Sequence, residues 1–204
     1  MATTELSADT RARILDTAWR RVRDHGTGAV SVKAIAQDAG VSRQLVYFHY
    51  HNRAGLLLAM ARHRDEASGF RRQAAEARRL APVDALEALL RAWCAYLPEL
   101  LPVARALEAA LITGDEGGEA WTDRMDDLHR AYRLALDRIA QEGRLAAAWT
   151  VESATDWAWA HVQPDSWAHL VDHRGWTADA YTERTVRTLL DELVAPAETK
   201  QRPR

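Results

Sequence analysis

Apolar residues return every three or four positions along nearly all of this chain. No segment keeps the two-residue alternation of a half-buried strand. That period constrains the fold more than any other feature. It admits amphipathic helices, and 10 glycines and 6 prolines in 204 residues leave few places for them to end. The punctuation is helical too, with Ser, Thr or Asn ahead of apolar runs and Gly behind them. An all-α chain is expected.

The first helix should follow Ser7 or Asp9, turn Ile14, Leu15, Ala18, Trp19 and Val22 inward, and stop at Gly26. A short helix from the cap Ser31 to Ala39 buries Val32, Ile35 and Ala36 and ends at Gly40. A third starts at the cap Ser42 and ends near His49. A fourth runs from Asn52 through an Arg-rich segment to about Arg79. Further segments are expected near 83–97, 99–113, 118–142, 151–173 and 177–194. Their breaks are Pro82, Pro98, the GDEGG loop at 114–118, Gly143 and Gly175, with caps at Thr150 and Thr177.

Composition narrows the function. No apolar run approaches the ~18 residues of a membrane span, and the start lacks the apolar core of a signal peptide. Cys94 is the single cysteine, so it forms neither an internal disulfide nor a thiolate metal site by itself. A cytoplasmic protein with no membrane partner is expected. The net charge of −2 conceals an asymmetry. Residues 1–80 hold 14 Arg and Lys against 8 Asp and Glu, whereas the remainder holds 13 against 21. A basic N-terminal part points to an anionic partner for that part alone.

The stretch AGVSRQLVYFHYHNRAGLL, residues 39–57, raises the sharpest question. It crowds Tyr47, Phe48, His49, Tyr50 and His51 into five positions, too many for one buried stripe at ~3.6 residues per turn. Two short helices joined by AGVS form a helix-turn-helix arrangement. Gly40 supplies the left-handed turn, Val41 plugs the angle, and Ser42 caps a helix whose N-terminal end can enter a major groove.

The segment SVKAIAQDAGVSRQLVYFHYHNRAGLL, with the helix before it, resembles the N-terminal signature of TetR-family transcriptional regulators over roughly residues 10–60. Ser31, Ile35-Ala36, Ala39-Gly40-Val41-Ser42, Tyr47, the basic residue at 53 and Leu56-Leu57 carry the resemblance. The chain departs from the pattern at Gln44, Leu45, His49 and Arg53; Gln44 and Leu45 bear on what is read rather than on whether DNA is bound, and Arg53 keeps the charge.

The resemblance implies a sequence-specific DNA-binding regulator. It would be a homodimeric repressor on a palindromic double-stranded operator, released by a small, largely apolar or aromatic effector. Residues 1–52 would be the helix-turn-helix domain, 53–195 a helical ligand-binding and dimerisation domain, and 196–204 a disordered tail. Arg43 and Gln44 carry the donors suited to guanine and adenine edges, and Leu45, if outward, meets a thymine methyl. Ser31, Lys33 and Ser42 lie where helix N-termini meet phosphate. Tyr47, His49 and Arg53 are assigned to the opposite backbone, Phe48 and Tyr50 to packing, and Asn52 to a cap.

In the remaining two-thirds, Trp93, Leu97, Leu101, Trp121, Met125, Trp157 and His161 are candidate pocket walls. Trp159, Trp167, Leu170, Val186, Leu189, Leu190 and Leu193 are candidates for a four-helix dimer bundle. Pro164 should kink a continuous helix over 151–173 beside the pocket, either as a hinge or equally as a static bend. His161, Asp165, His169 and His173 share a four-residue spacing, but four ligands on one helix do not converge on one ion, so neither metal nor cofactor is expected. There is no GxSxG, HExxH or phosphate-cradling glycine loop, and an enzyme is not expected. The alternatives are a constitutive DNA binder controlled by a protein partner and lacking a ligand pocket, or a helical enzyme.

Overall fold

The computed structural model describes residues 6–115 and 117–196. Among them run α1 (Ala8–His25), α2 (Val32–Asp38), α3 (Arg43–Tyr50), α4 (Arg53–Ala67) and α5 (Phe70–Ala77). They are followed by α6 (Pro82–Thr113), α7 (Gly117–Gln141), α8 (Val151–His161), α9 (Pro164–Val171) and α10 (Ala178–Leu193). One 3-10 turn, Thr27–Ala29, separates α1 from α2. The all-α expectation holds. Of the expected tail, residues 197–204 lie outside the described residues.

The caps explain most of the boundaries. Ser7, Ser31, Ser42, Asn52, Thr150 and Thr177 each accept a backbone N–H from the first turn of the helix they precede. Each satisfies one of the donors that a helix start leaves orphaned.

Three boundaries differ from expectation. The fourth helix does not continue to Arg79. It stops at Ala67, the Ser68 hydroxyl accepts the Phe70 N–H at 3.3 Å, and Gly69 turns through a positive φ of 78° into α5. Ser68-Gly69 is a stop signal that the surrounding arginines and alanines disguise.

Pro98 does not end a helix either. Helix α6 passes through both Pro98 and Pro102, which stand exposed, where water can satisfy the carbonyls deprived of a partner. Buried neighbours such as Leu97, Leu100, Val103 and Ala104 keep the helix in place despite the missing rungs.

Lastly, 151–173 is two helices rather than one kinked helix. Pro164 is the first residue of α9, where its lacking N–H is no loss. The hinge or bend expected there is therefore a helix boundary. It also divides His161 from Asp165, His169 and His173.

By packing, the chain resolves into two compact units. The first comprises the chain to Arg71 with Pro98–Asp126, and the second comprises Arg72–Leu97 with the chain from Asp127. In the first, α1 presents Ile14, Leu15, Ala18 and Val22, which are buried together with Ile35, Val46, Leu56, Leu57 and Met60. The most extensive packing there is between α1 and α4. Asp65 on α4 and Arg124 on α7 form an ion pair with both side chains almost fully buried, and the Arg124 guanidinium lies 5.8 Å from the Phe70 ring centre. In the second unit the core holds Trp93, Tyr132, Tyr181, Leu86, Leu90, Leu136 and Leu189. A short antiparallel bridge pairs Leu145 with Val194.

Candidate nucleic-acid interface

The turn between α2 and α3 is built from hydrogen bonds that the AGVS residues make possible. Gly40 takes a φ of +64°, which a side chain would strain. In that conformation the Gly40 N–H reaches the Gln37 carbonyl at 3.2 Å and the Val41 N–H reaches Ala36 at 2.9 Å. This pair of bonds closes the C-terminal end of α2. Arg13 on α1 donates to the Ala39 carbonyl at 2.8 Å, and Arg21 pairs with Asp38 at 2.7 Å. The side-chain bond to Arg21 holds the Asp38 carboxyl below the usual carboxylate range. Two arginines of α1 thus fix the short helix against which α3 is set.

Helix α3 begins at the Ser42 cap, whose hydroxyl oxygen accepts the Leu45 N–H at 3.1 Å. Its inward residues are Val46 and Tyr50. Arg43 and Gln44 are exposed at the end where helix N–H groups favour anions. Leu45 is half-buried, at the border between core and outer face. Ser31 caps α2, accepting the Ala34 N–H at 3.1 Å, and Lys33 stands exposed in the first turn of that helix.

Phe48 overturns one assignment. It is 63% exposed, more than Tyr47 at 46%, so it is not a packing residue. Its ring meets His49 edge-on at 5.0 Å. Of the two aromatics assigned to packing, only Tyr50 is buried. The periodicity contains the reason. With Val46 and Tyr50 inward and four residues apart, position 48 lies on the opposite side of the helix. An apolar side chain there has no core to reach.

The chain leaves α3 through a tight corner. His51 adopts φ 61° and ψ −54°, while the Asn52 N–H reaches the Tyr50 carbonyl at 2.7 Å. This is a γ-turn of the rarer positive-φ kind. Asn52 then caps α4, accepting the Gly55 N–H at 2.8 Å. A Cβ at Gly55 would fall 2.3 Å from the Tyr50 carbonyl oxygen, so only glycine lets α4 start this close to the end of α3.

Arg53 is not the outward cation expected from the sequence. Its guanidinium donates to the carbonyls of Val30 at 2.8 Å and Thr27 at 2.5 Å, and pairs with Asp115 at 2.6 Å. Three acceptors within its own unit engage it. Asp115 also accepts the Gly117 N–H at 2.9 Å. That bond, followed by Arg53, holds the Asp115 carboxyl below its ordinary range. Nothing local in the sequence distinguishes such an arginine from a phosphate-binding one, because its acceptor lies 62 residues away.

The expected pocket walls are distributed over both units. Trp93 and Leu97 are buried in the second unit, and Leu101, Trp121 and Met125 are buried in the first. Trp157 is 39% exposed and His161 half-buried. The indole N–H of Trp93 is committed to the Val162 carbonyl at 2.8 Å, so its ring is core. An apolar cavity of about 230 Å³ occurs elsewhere in the second unit, among α5, the first part of α6 and α7. Ala77, Ala85, Leu89, Ala131, Leu134 and Ala135 contribute to its walls.

Four of the expected dimer residues are also core. Trp167, Val186, Leu189 and Leu193 are buried within the single chain, which leaves them no surface for a partner. Trp159, Leu170 and Leu190 remain half-exposed. Beside them on α8, Trp157 lies 5.7 Å from Trp149, ring to ring. It donates to the Glu192 carboxylate of α10 at 2.6 Å. Cys94 is buried, and burial pushes its thiol up to about 12, so it is no nucleophile. Among the described residues, no helix is long and apolar enough to cross a membrane.

Similarity to known proteins agrees with this geometry. Residues 14–60 match the family described as bacterial regulatory proteins, tetR family. The chain is 28% identical over 145 residues to the HTH-type transcriptional repressor AcnR of Corynebacterium efficiens, covering 71% of this chain and 73% of that protein. It is 29% identical to the probable HTH-type transcriptional regulator ArpR of Pseudomonas putida, covering 96% and 97%. A transcriptional regulator from Saccharomonospora viridis, solved in complex with choline, shares the fold with a TM-score of 0.72. That match has 19% identity and covers 93% of this chain and 100% of that one. With its matched helix-turn-helix and its capped, outward-facing α3, the chain resembles the DNA-binding transcriptional regulators of the TetR family, whose model it matches over residues 14–60.

Proposed function

We propose that the protein is a homodimeric repressor that binds a palindromic operator and leaves it when a small, largely apolar ligand occupies the second unit. One observation carries the reading of DNA. Arg43 and Gln44 stand exposed at the capped N-terminal end of α3, and neither side chain has a partner among the described residues. Arginine suits the guanine O6 and N7 acceptors, and glutamine suits adenine. Ser31, Lys33, Ser42, Tyr47 and His49 line the flanks where phosphates would pass, and Phe48 joins them as an apolar contact to sugar or thymine methyl. Leu45 sits at the margin of this face.

One such helix reads only a few base pairs. Two copies related by a two-fold axis would place their α3 helices about 34 Å apart, one turn of DNA. The half-exposed Trp159, Leu170 and Leu190, with Trp157, are the surface of α8–α10 suited to that pairing. The apolar cavity of the second unit is the seat for a ligand. A ligand shifts the equilibrium only if it prefers the form that does not bind DNA. The choline bound by the Saccharomonospora viridis regulator supports a small-molecule ligand in this fold, without indicating its kind here.

Selection of bound sites from random DNA with the purified protein tests the reading. The expected result is an inverted repeat with half-sites one helical turn apart. A directly repeated site, or enrichment of no sequence at all, would overturn it.

A further inference from the structure

The cavity among α5, α6 and α7 has an uneven chemistry. Its walls are Ala74, Ala77, Ala85, Leu89, Ala131, Leu134 and Ala135, and its polar lining is only Arg78, Asp137 and Arg138. Protein interiors are normally filled to crystal-like density. Here five alanines face a space that larger side chains would close. Leu134 is 54% exposed at the same site, so apolar wall continues to the surface.

The polar groups are not equivalent. Arg138 is held in place, its guanidinium donating to the carbonyls of Arg78 at 3.0 Å and Leu80 at 2.7 Å. Both acceptors are neutral, so its positive charge is not cancelled there. Arg78 is exposed, and its side chain has no hydrogen-bond or ion-pair partner among the described residues. Asp137 accepts from Gln141 at 2.8 Å, which occupies part of its acceptor capacity. The lining therefore combines an apolar interior with two cations against one anion.

We infer that this cavity binds an amphiphilic anion, with an aliphatic chain against the alanines and a carboxylate or comparable acid at Arg78 and Arg138. An alanine-lined space lacks the aromatic faces that hold quaternary ammonium ions, and two arginines would repel them. A neutral alcohol of equal length would keep the apolar contacts and lose the charge-assisted hydrogen bonds. The inference rests on the ligand-release reading and gives that ligand its chemical class.

The test is calorimetric titration of the full-length protein with decanoate, decanol and decyltrimethylammonium below their micelle concentrations. Decanoate should bind about one per chain, about five- to tenfold more tightly than decanol, and the ammonium most weakly. Arg78→Glu changes only an exposed side chain and should bring decanoate to the level of decanol or below. Ala135→Phe should abolish binding of all three, with the melting curve confirming that the variant is folded. Decanol matching decanoate in the wild type, or Arg78→Glu leaving decanoate unchanged, would overturn the inference. A gel shift with the same ligands separates the two readings. Decanoate that binds without releasing DNA overturns ligand release and leaves the site standing. A different effector that still releases DNA from Ala135→Phe at wild-type potency overturns the site and leaves ligand release standing.

Discussion

The outer face of α3 and the inner face of α4 lie in the same unit and each carries an arginine, yet they use it in opposite ways. On α3, Arg43 and Gln44 project into solvent from a capped helix start, and the core needs neither. On α4, Arg53 is engaged by three acceptors of its own chain, while Asp65 is buried against Arg124. The first set is available to a partner. The second holds the scaffold together. An arginine's role thus follows from the acceptors around it, and two arginines ten residues apart can have unrelated roles.

Substitutions can break that contrast, the strongest first. Asp65→Ala would leave Arg124 buried without its counter-charge and should destabilise the protein by about 3–5 kcal/mol, measured by urea unfolding. A loss below about 1 kcal/mol would mean that the pair is not buried in solution. Arg53→Ala removes hydrogen bonds to Thr27, Val30 and Asp115 and should cost about 2–3 kcal/mol of stability. Among molecules that remain folded, the salt dependence of DNA binding should be unchanged. A shallower slope would return Arg53 to the phosphate backbone.

Arg43→Ala is the mirror image. Operator binding should weaken by about 1–3 kcal/mol with relaxed choice at one base position, while the melting temperature stays where it was. Smaller still is His51→Gly, which relieves a positive-φ corner. It should stabilise the protein by about 1 kcal/mol, less whatever the added flexibility of the unfolded chain offsets.

The acid limb of the stability profile gives the finest distinction. Asp115 is held below its ordinary value of 3.8 by the Gly117 N–H and then by Arg53. Its contribution is therefore complete above that value and declines as pH falls through the lower folded value. Asp115→Asn should flatten this part of the curve. An unchanged acid limb would show that neither the Gly117 N–H nor Arg53 lowers the Asp115 carboxyl in solution.

The same contrast explains what could be read from the sequence. Caps, turn glycine and inward stripe are local, so the positions of α1 to α3 were legible from spacing, and the roles of Arg43 and Gln44 from the family resemblance. Phe48 departs from the expectation that its aromatic type suggests, and the periodicity contains the reason: it lies opposite Val46 and Tyr50. Arg53 was not legible, since Asp115 is brought to it by tertiary structure. Tryptophans were a poor guide to the cavity for a related reason. Large rings fill space, and the empty space occurs where alanines leave it. The dimer stripe shows the same limit: Val186, Leu189 and Leu193 are apolar at helical spacing, which signals burial without saying by what.

Trp93 has a consequence for the corner between α8 and α9. Where the helix breaks, the Ser166 N–H bonds to the Gln163 carbonyl at 3.0 Å, and the Val162 carbonyl is taken by the Trp93 indole. The corner is therefore held by a side chain almost seventy residues upstream as well as by Pro164. Pro164→Ala alone should leave α8 and α9 separate helices. Straightening them would require Trp93 to give up its acceptor as well, so the direction of α9 is determined jointly by α6 and by the proline.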